Sequence, residues 1–107
     1  MIIIESSHYK RDLKKLKKKN MIKEIETIQE ILEFITIFKN MQELLSSNLC
    51  TIYGITKKKG NLKEIYTAKV NNKIRMYMHP LGDYPFDLKE IEIIELCEID
   101  DKHYGEG

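Results

Sequence analysis

Residues 22–41 carry two adjoining apolar stripes at helical spacing, and this pattern governs what the rest of the chain must supply. Ile22, Ile25, Ile28, Leu32 and Ile35 form one stripe, and Ile31, Phe34, Phe38 and Met41 form a second beside it. A helix apolar over that much of its circumference must be covered on more than one side. In a chain of 107 residues the cover comes from its own sheet or from a partner protein, and ordinary core packing is the simpler reading. The helix weakens around Phe38 to Asn40. Met41 to Leu45 reads as a last turn before Ser46-Ser47-Asn48 breaks it.

One strand and one helix come before it. Ile2-Ile3-Ile4-Glu5-Ser6 reads as a short β-branched strand bounded by serine. Ser6-Ser7 can cap a helix that begins near His8 and ends near Asn20. Tyr9, Leu13 and Leu16 give it one apolar face, and Lys10, Arg11, Lys14, Lys15, Lys17, Lys18 and Lys19 fill the remainder. Such a helix attracts phosphates through counterion release, or it simply keeps a surface soluble.

From Cys50 onward the chain reads as β. Cys50 to Thr56 is a strand in which Gly54 marks a bulge or a close approach. Lys57 to Asn61 is a basic turn, Leu62 to Val70 a strand, Asn71-Asn72 a two-residue hairpin turn, and Lys73 to His79 the returning strand. After a loop from His79 to Pro85, Ile91 to Ile99 is the last strand, with a phase shift at Ile93-Ile94 that suggests a bulge. The expected class is α+β, in the order β-α-α-β-β-β-β. Two N-terminal helices pack on one face of a curved, mainly antiparallel sheet, in a single domain spanning 1–107.

Composition removes several function classes. No apolar run approaches a membrane span, and Met1-Ile2-Ile3-Ile4 gives way at once to Glu5, which is no signal-peptide pattern. Cys50 and Cys97 lack ligand spacing and read as free thiols of a cytoplasmic protein. A zinc site from Cys50, Cys97, His79 and His103 matches no spacing pattern, so no metal and no cofactor are expected. Near-neutral net charge hides a dipole. Residues 1–80 hold sixteen Lys/Arg against eight Asp/Glu, whereas residues 81–107 hold two against nine. The basic part can meet a polyanion.

The hairpin sets a register. With Asn71-Asn72 as the loop, Ala68 faces Arg75, Thr67 faces Met76 and Tyr66 faces Tyr77. One face then carries Ile74, Met76, Met78, Ile65 and Thr67, a core face on which Lys69 also falls, at the strand end. The other carries Arg75, Tyr77, His79, Tyr66 and Glu64. Arginine clamps phosphate and tyrosines stack on unpaired bases, so this face suits RNA. Cross-strand aromatic pairs that merely stabilise the sheet are the plain alternative. Directly after the last strand, Asp100-Asp101-Lys102-His103-Tyr104 adds an imidazole, which titrates near working pH, and a phenol. A frayed tail is the plain alternative there.

These residues together resemble a known family. Tyr9-Lys10-Arg11-Asp12-Leu13-Lys14-Lys15-Leu16 after a first strand, Tyr66-Thr67-Ala68-Lys69-Val70 leading into Ile74-Arg75-Met76-Tyr77, and the terminal His103-Tyr104 are similar, in order and spacing, to the RelE/ParE superfamily of type II toxins. The mRNA-cleaving RelE, YoeB and HigB type is the nearest in pattern. The resemblance implies a RelE-like fold and a ribosome-dependent endoribonuclease. A ribose 2′-OH attacks the adjacent phosphate to give a cyclic phosphate and a free 5′-OH, without a metal. Arg75 would hold the scissile phosphate and stabilise its developing charge, with Lys69 a second phosphate contact. His103 would serve acid/base chemistry, and Tyr104 would orient or stack. Where YoeB-like members carry a glutamate after the helices, this chain has Thr56-Lys57-Lys58-Lys59. Glu64, His103 or Lys57 therefore stand as candidate bases. Lys57, Lys58, Tyr66, Tyr77, Lys14, Lys15 and Lys18 would contact RNA. The implied partners are the ribosome with its mRNA and a cognate antitoxin, with a helix-turn-helix DNA-binding part, in a hetero-oligomer. Two other readings use the same scaffold: a gyrase-inhibiting ParE-type toxin without nuclease chemistry, and a non-catalytic interaction module.

Overall fold

The computed structural model describes residues 1–58, 65–82 and 87–101. In chain order the elements are β1 (Ile2–Glu5), α1 (Ser7–Lys18), α2 (Ile22–Ile37), α3 (Met41–Ser46), α4 (Asn48–Ile52), β2 (Thr56–Lys57), β3 (Tyr66–Lys69), β4 (Arg75–Pro80) and β5 (Ile93–Asp100). The strands form one sheet in the order β1-β5-β4-β3-β2. β1 runs parallel to β5, and the other pairs are antiparallel.

Ser6 starts α1 and fastens it to the last strand. Its Oγ accepts from the Tyr9 amide at 3.1 Å, the N-cap bond that satisfies an orphan donor, and donates to the Cys97 carbonyl at 2.9 Å. The helix closes in a Schellman motif. Asn20 takes the left-handed conformation (φ 54°) and the Met21 amide donates back to Leu16 O. Tyr9 and Leu16 are buried, as their spacing required.

In α2 the first stripe divides: Ile28 and Ile35 are buried, Ile22 is exposed. Of the second stripe Ile31 is buried, and Phe34 meets Tyr53 edge-on at 5.3 Å between ring centroids. The chain's own elements thus cover much of this helix. Met41 to Ser46 is a separate helix rather than a last turn of α2, because Phe38 turns extended and Asn40 caps the new helix. Asn40 Oδ1 accepts from the Glu43 amide and Glu43 Oε1 from the Lys39 amide.

Two expectations of the β region are corrected, and one open choice is decided. Residues 50–55 are not a strand: α4 and a turn occupy them, and only Thr56–Lys57 pair with β3. A short apolar run does not distinguish strand from helix by alternation alone. Of the two readings of Gly54, a bulge or a close approach, the close approach holds. The residue sits at φ +57°, and a Cβ there would lie 3.2 Å from Lys69 Cβ. The phase shift in β5 falls at Cys97, opposite the Tyr77–Met78 step, and not at Ile93-Ile94.

A third correction moves the hairpin register by one residue. Lys69 pairs with Arg75, Ala68 with Met76, Thr67 with Tyr77 and Tyr66 with Met78. The cause is Asn71. Its Oδ1 accepts from the amides of both Lys73 and Ile74 at 2.8 Å, an Asx turn that spends three residues on the loop. Neither Asn71 nor Asn72 adopts the positive φ that a two-residue type I′ loop needs.

The core lies between the helices and one sheet face. Ile28, Ile31, Ile35, Met41 and Leu44 meet Ala68, Ile74, Met76, Met78, Ile94 and Leu96 there. Among the described residues, no helix is long and apolar enough to cross a membrane.

Candidate nucleic-acid interface

Side chains alternate across a sheet, so the register decides which residues share the face away from the core. Three rows run across that face. The first is Lys69, Arg75 and Asp100; the second is Thr56, Thr67, Tyr77 and Glu98; the third reaches from His79 to Glu95 and Ile4. Tyr77 confirms the assignment: it is 7 % exposed yet stands apart from the hydrophobic core cluster.

Lys69 and Arg75 are therefore neighbours. Lys69 is exposed and Arg75 half-buried. The Lys69 backbone is pinned where the Gly54 turn passes beneath it, its amide donating to the Tyr53 carbonyl at 2.7 Å. Among the described residues, no ion pair engages Arg75. Two cations a strand apart can grip one phosphate, the guanidinium in a planar fork and the ammonium as a point charge.

Lys58 joins them from the far side. Its Nζ donates to Tyr77 Oη at 2.7 Å and lies 4.4 Å from the centre of the same ring. Tyr77 Oη in turn donates to Asp100 Oδ2 at 3.2 Å. A chain of contacts thus crosses the face from Lys58 to the aspartate beside Arg75.

No family model matches the sequence, and no curated protein matches it by sequence. Solved structures match it by shape. A copper-bound mutant toxin from Helicobacter pylori superposes with a TM-score of 0.67 at 10% identity, covering 94% of this chain and 93% of that one. A chain of the heterotetrameric YoeB-YefM toxin–antitoxin complex from Staphylococcus aureus gives 0.64 at 20% identity, covering 94% of both. YafQ from Escherichia coli BL21(DE3) gives 0.62 at 13% identity, covering 92% of this chain and 90% of that one. This chain has the RelE/ParE toxin fold.

Within the RelE/ParE fold of this chain, the residues read from sequence are partly gathered and partly dispersed. Lys69, Arg75, Tyr77 and Lys58 share the helix-free face. Tyr66 does not: the corrected register turns it into the core, where it is 6 % exposed, so it cannot stack on a base. Tyr77 keeps its face but is buried beneath the Lys58 ammonium, so it is no open stacking platform. Lys57 is exposed but pairs with Tyr66, so its position belongs to the opposite sheet face from the cations. Lys14, Lys15 and Lys18 are exposed on α1. Of these, Lys15 lines a cavity of about 600 Å3 between α1 and β5, with His8, Asp12, Glu98 and Asp100. Glu64, His103 and Tyr104 lie outside the described residues.

Several residues at this site carried no sequence signal. The β1–β5 pairing ends at Glu5 and Leu96, and beyond it α1 meets the β5 edge through Asp12. Asp12 accepts from the Ile99 amide at 2.9 Å, and His8 Nε2 stands 3.4 Å from Asp12 and 3.8 Å from Glu98. Thr67 and Asp100 became face residues only once the register was known. The Cys97 thiol is pushed up to about 11, by burial first and then by Glu95 and Glu98. It stays protonated, so it is no nucleophile at neutral pH. Among the described residues, no group of three His, Cys, Asp or Glu is placed to hold a metal.

Proposed function

We propose that this chain is the toxin of a type II toxin–antitoxin pair and a ribosome-dependent endoribonuclease that cuts mRNA. The observation that carries the reading is the Lys69–Arg75 pair on the helix-free face of a RelE/ParE fold. Cleavage inside an RNA strand needs a cation to hold the phosphate and to take up the charge that grows on its oxygens as the 2′-OH attacks. Arg75 does this by a fork of N–H donors, and Lys69 adds charge from the next strand.

The acid/base work falls to His103, with Tyr104 orienting the nucleotide. They follow Asp100 by three and four positions, and Asp100 pairs with Arg75. Three and four residues of chain span at most about 10 and 14 Å. That reach supports their sharing the phosphate site. The products are a 2′,3′-cyclic phosphate and a 5′-hydroxyl. An antitoxin that covers this face silences the protein, as a partner of the kind named in the Staphylococcus aureus complex.

Controlled induction in growing bacteria tests the reading. Growth stops, primer extension finds codon-associated breaks in translated messages, and co-expression of the neighbouring gene restores growth. Arrest with intact messages and induced DNA damage overturns it in favour of a gyrase poison.

A further inference from the structure

We infer that Tyr77 is a positioning residue, one that holds the Lys58 ammonium in place as a further phosphate-binding cation beside Arg75 and Lys69. The inference rests on the RNA-cutting function proposed for this face and deepens it.

The phenol can do two things at once: it has one proton to give and lone pairs to receive. Here the proton goes to Asp100 Oδ2 at 3.2 Å. The oxygen is thereby left to accept from Lys58 Nζ at 2.7 Å. Were the phenol proton aimed at Lys58, two donors would face each other. Asp100 therefore fixes the sense of the chain. The ring adds a second hold, since the ammonium lies 4.4 Å from its centre, the geometry of a cation–π contact.

A lysine side chain ordinarily samples many rotamers, and an anion that recruits it must first order it. Tyr77 orders Lys58 beforehand. It consumes one of the three ammonium protons and leaves two for a phosphate. Burial fits this role for Tyr77: a ring 7 % exposed, outside the hydrophobic core cluster, has no open face for a base. Its use is to carry what sits on it. The ligand is the backbone of single-stranded RNA, at a phosphate neighbouring the one that Arg75 holds.

The test uses the full chain and a short labelled single-stranded RNA, with affinity measured across a salt series. Lys58→Met weakens binding ~tenfold, the worth of one charge-assisted contact, and the slope of log affinity against log salt falls by about 0.7, one phosphate on a single strand. Tyr77→Phe keeps the ring and loses the oxygen. It reproduces a substantial part of that loss, and the double variant is no worse than Lys58→Met alone, because Tyr77 acts through Lys58. Thermal melting runs alongside. The inference is overturned if Arg75→Ala weakens binding while Lys58→Met and Tyr77→Phe bind as wild type, or if the two losses simply add. Should Tyr77→Phe not fold, Lys58→Met alone decides: a lower Tm with unchanged affinity and slope makes the contact structural and overturns it. Failure of the underlying reading looks different, with wild-type protein neither binding nor cutting the RNA.

Discussion

Lys69 stands opposite Arg75 across the β3–β4 ladder, and the pairing puts both cations on the sheet face that the helices leave bare. One residue of register separates this arrangement from one in which Lys69 points into the core and Tyr66 points out. Two substitutions distinguish them. Tyr66→Ala is expected to cost about 3–5 kcal/mol, as for other large buried aromatics, and to show as a much lower urea midpoint. Lys69→Ala is expected to stay within about 0.5 kcal/mol of wild type while mRNA cleavage falls. The opposite pattern returns the two-residue hairpin.

The strength and the limit of sequence reasoning meet at this hairpin. The alternation of Ile74, Met76 and Met78 fixes the two faces of β4 whatever the loop does, so Arg75 was placed correctly. The faces of β3 depend on loop length, and that was set by a side chain: Asn71 Oδ1 takes two backbone amides. Nothing in an Asn-Asn pair announces that choice over a type I′ turn. The helices were legible because their stripes repeat over several turns. Residues 50–55 were not, because a helix of five residues has too few turns to show its period. The pairing of Asp12 with Ile99 spans 87 positions, and no local pattern encodes it.

Asp12 is expected to matter for folding. It receives the Ile99 amide where β1 has ended and the edge of β5 is otherwise bare. Asp12→Ala leaves that donor unpaired, at about 1–3 kcal/mol, whereas Asp12→Asn keeps an acceptor and loses less. Denaturant unfolding of the two variants measures the difference, and equal losses would remove the hydrogen bond from the explanation.

Gly54 couples conformation to the site. At φ +57° any other L-residue is strained, and its Cβ would meet Lys69 Cβ at 3.2 Å. Gly54→Ala is expected to cost about 1–2 kcal/mol and to displace Lys69. RNA affinity therefore falls further in Gly54→Ala than in a surface variant of equal stability. Unchanged affinity in the folded variant would contradict this.

Base titration reads the buried and hydrogen-bonded tyrosines. Tyr9 is pushed up to about 12, by burial first and by Glu5 second; Tyr53 is pushed up to about 12, chiefly by its hydrogen bond to the Glu30 carboxylate. Both values lie above the ordinary 10.0, so the folded chain keeps protons that the unfolded chain releases. Their contribution to stability is full below pH 10 and is lost as pH rises from there to about 12. Part of the tyrosinate absorbance is expected to rise only well above pH 10, and this late part shrinks in Tyr9→Phe/Tyr53→Phe, leaving buried Tyr66, which is also raised. A single phase near pH 10 in folded protein would contradict it.

The decisive measurement is the chemistry of the cut ends in a purified translation reaction. Ribosomes held on a defined message are given wild-type protein or Arg75→Ala at matched folding, and the fragments are analysed for terminal groups. Wild type is expected to leave 2′,3′-cyclic phosphate and 5′-hydroxyl ends at one codon position, with Arg75→Ala slower by ~100-fold or more. Intact message with folded wild-type protein, or equal cutting by both proteins, would contradict the role assigned to the Arg75 face.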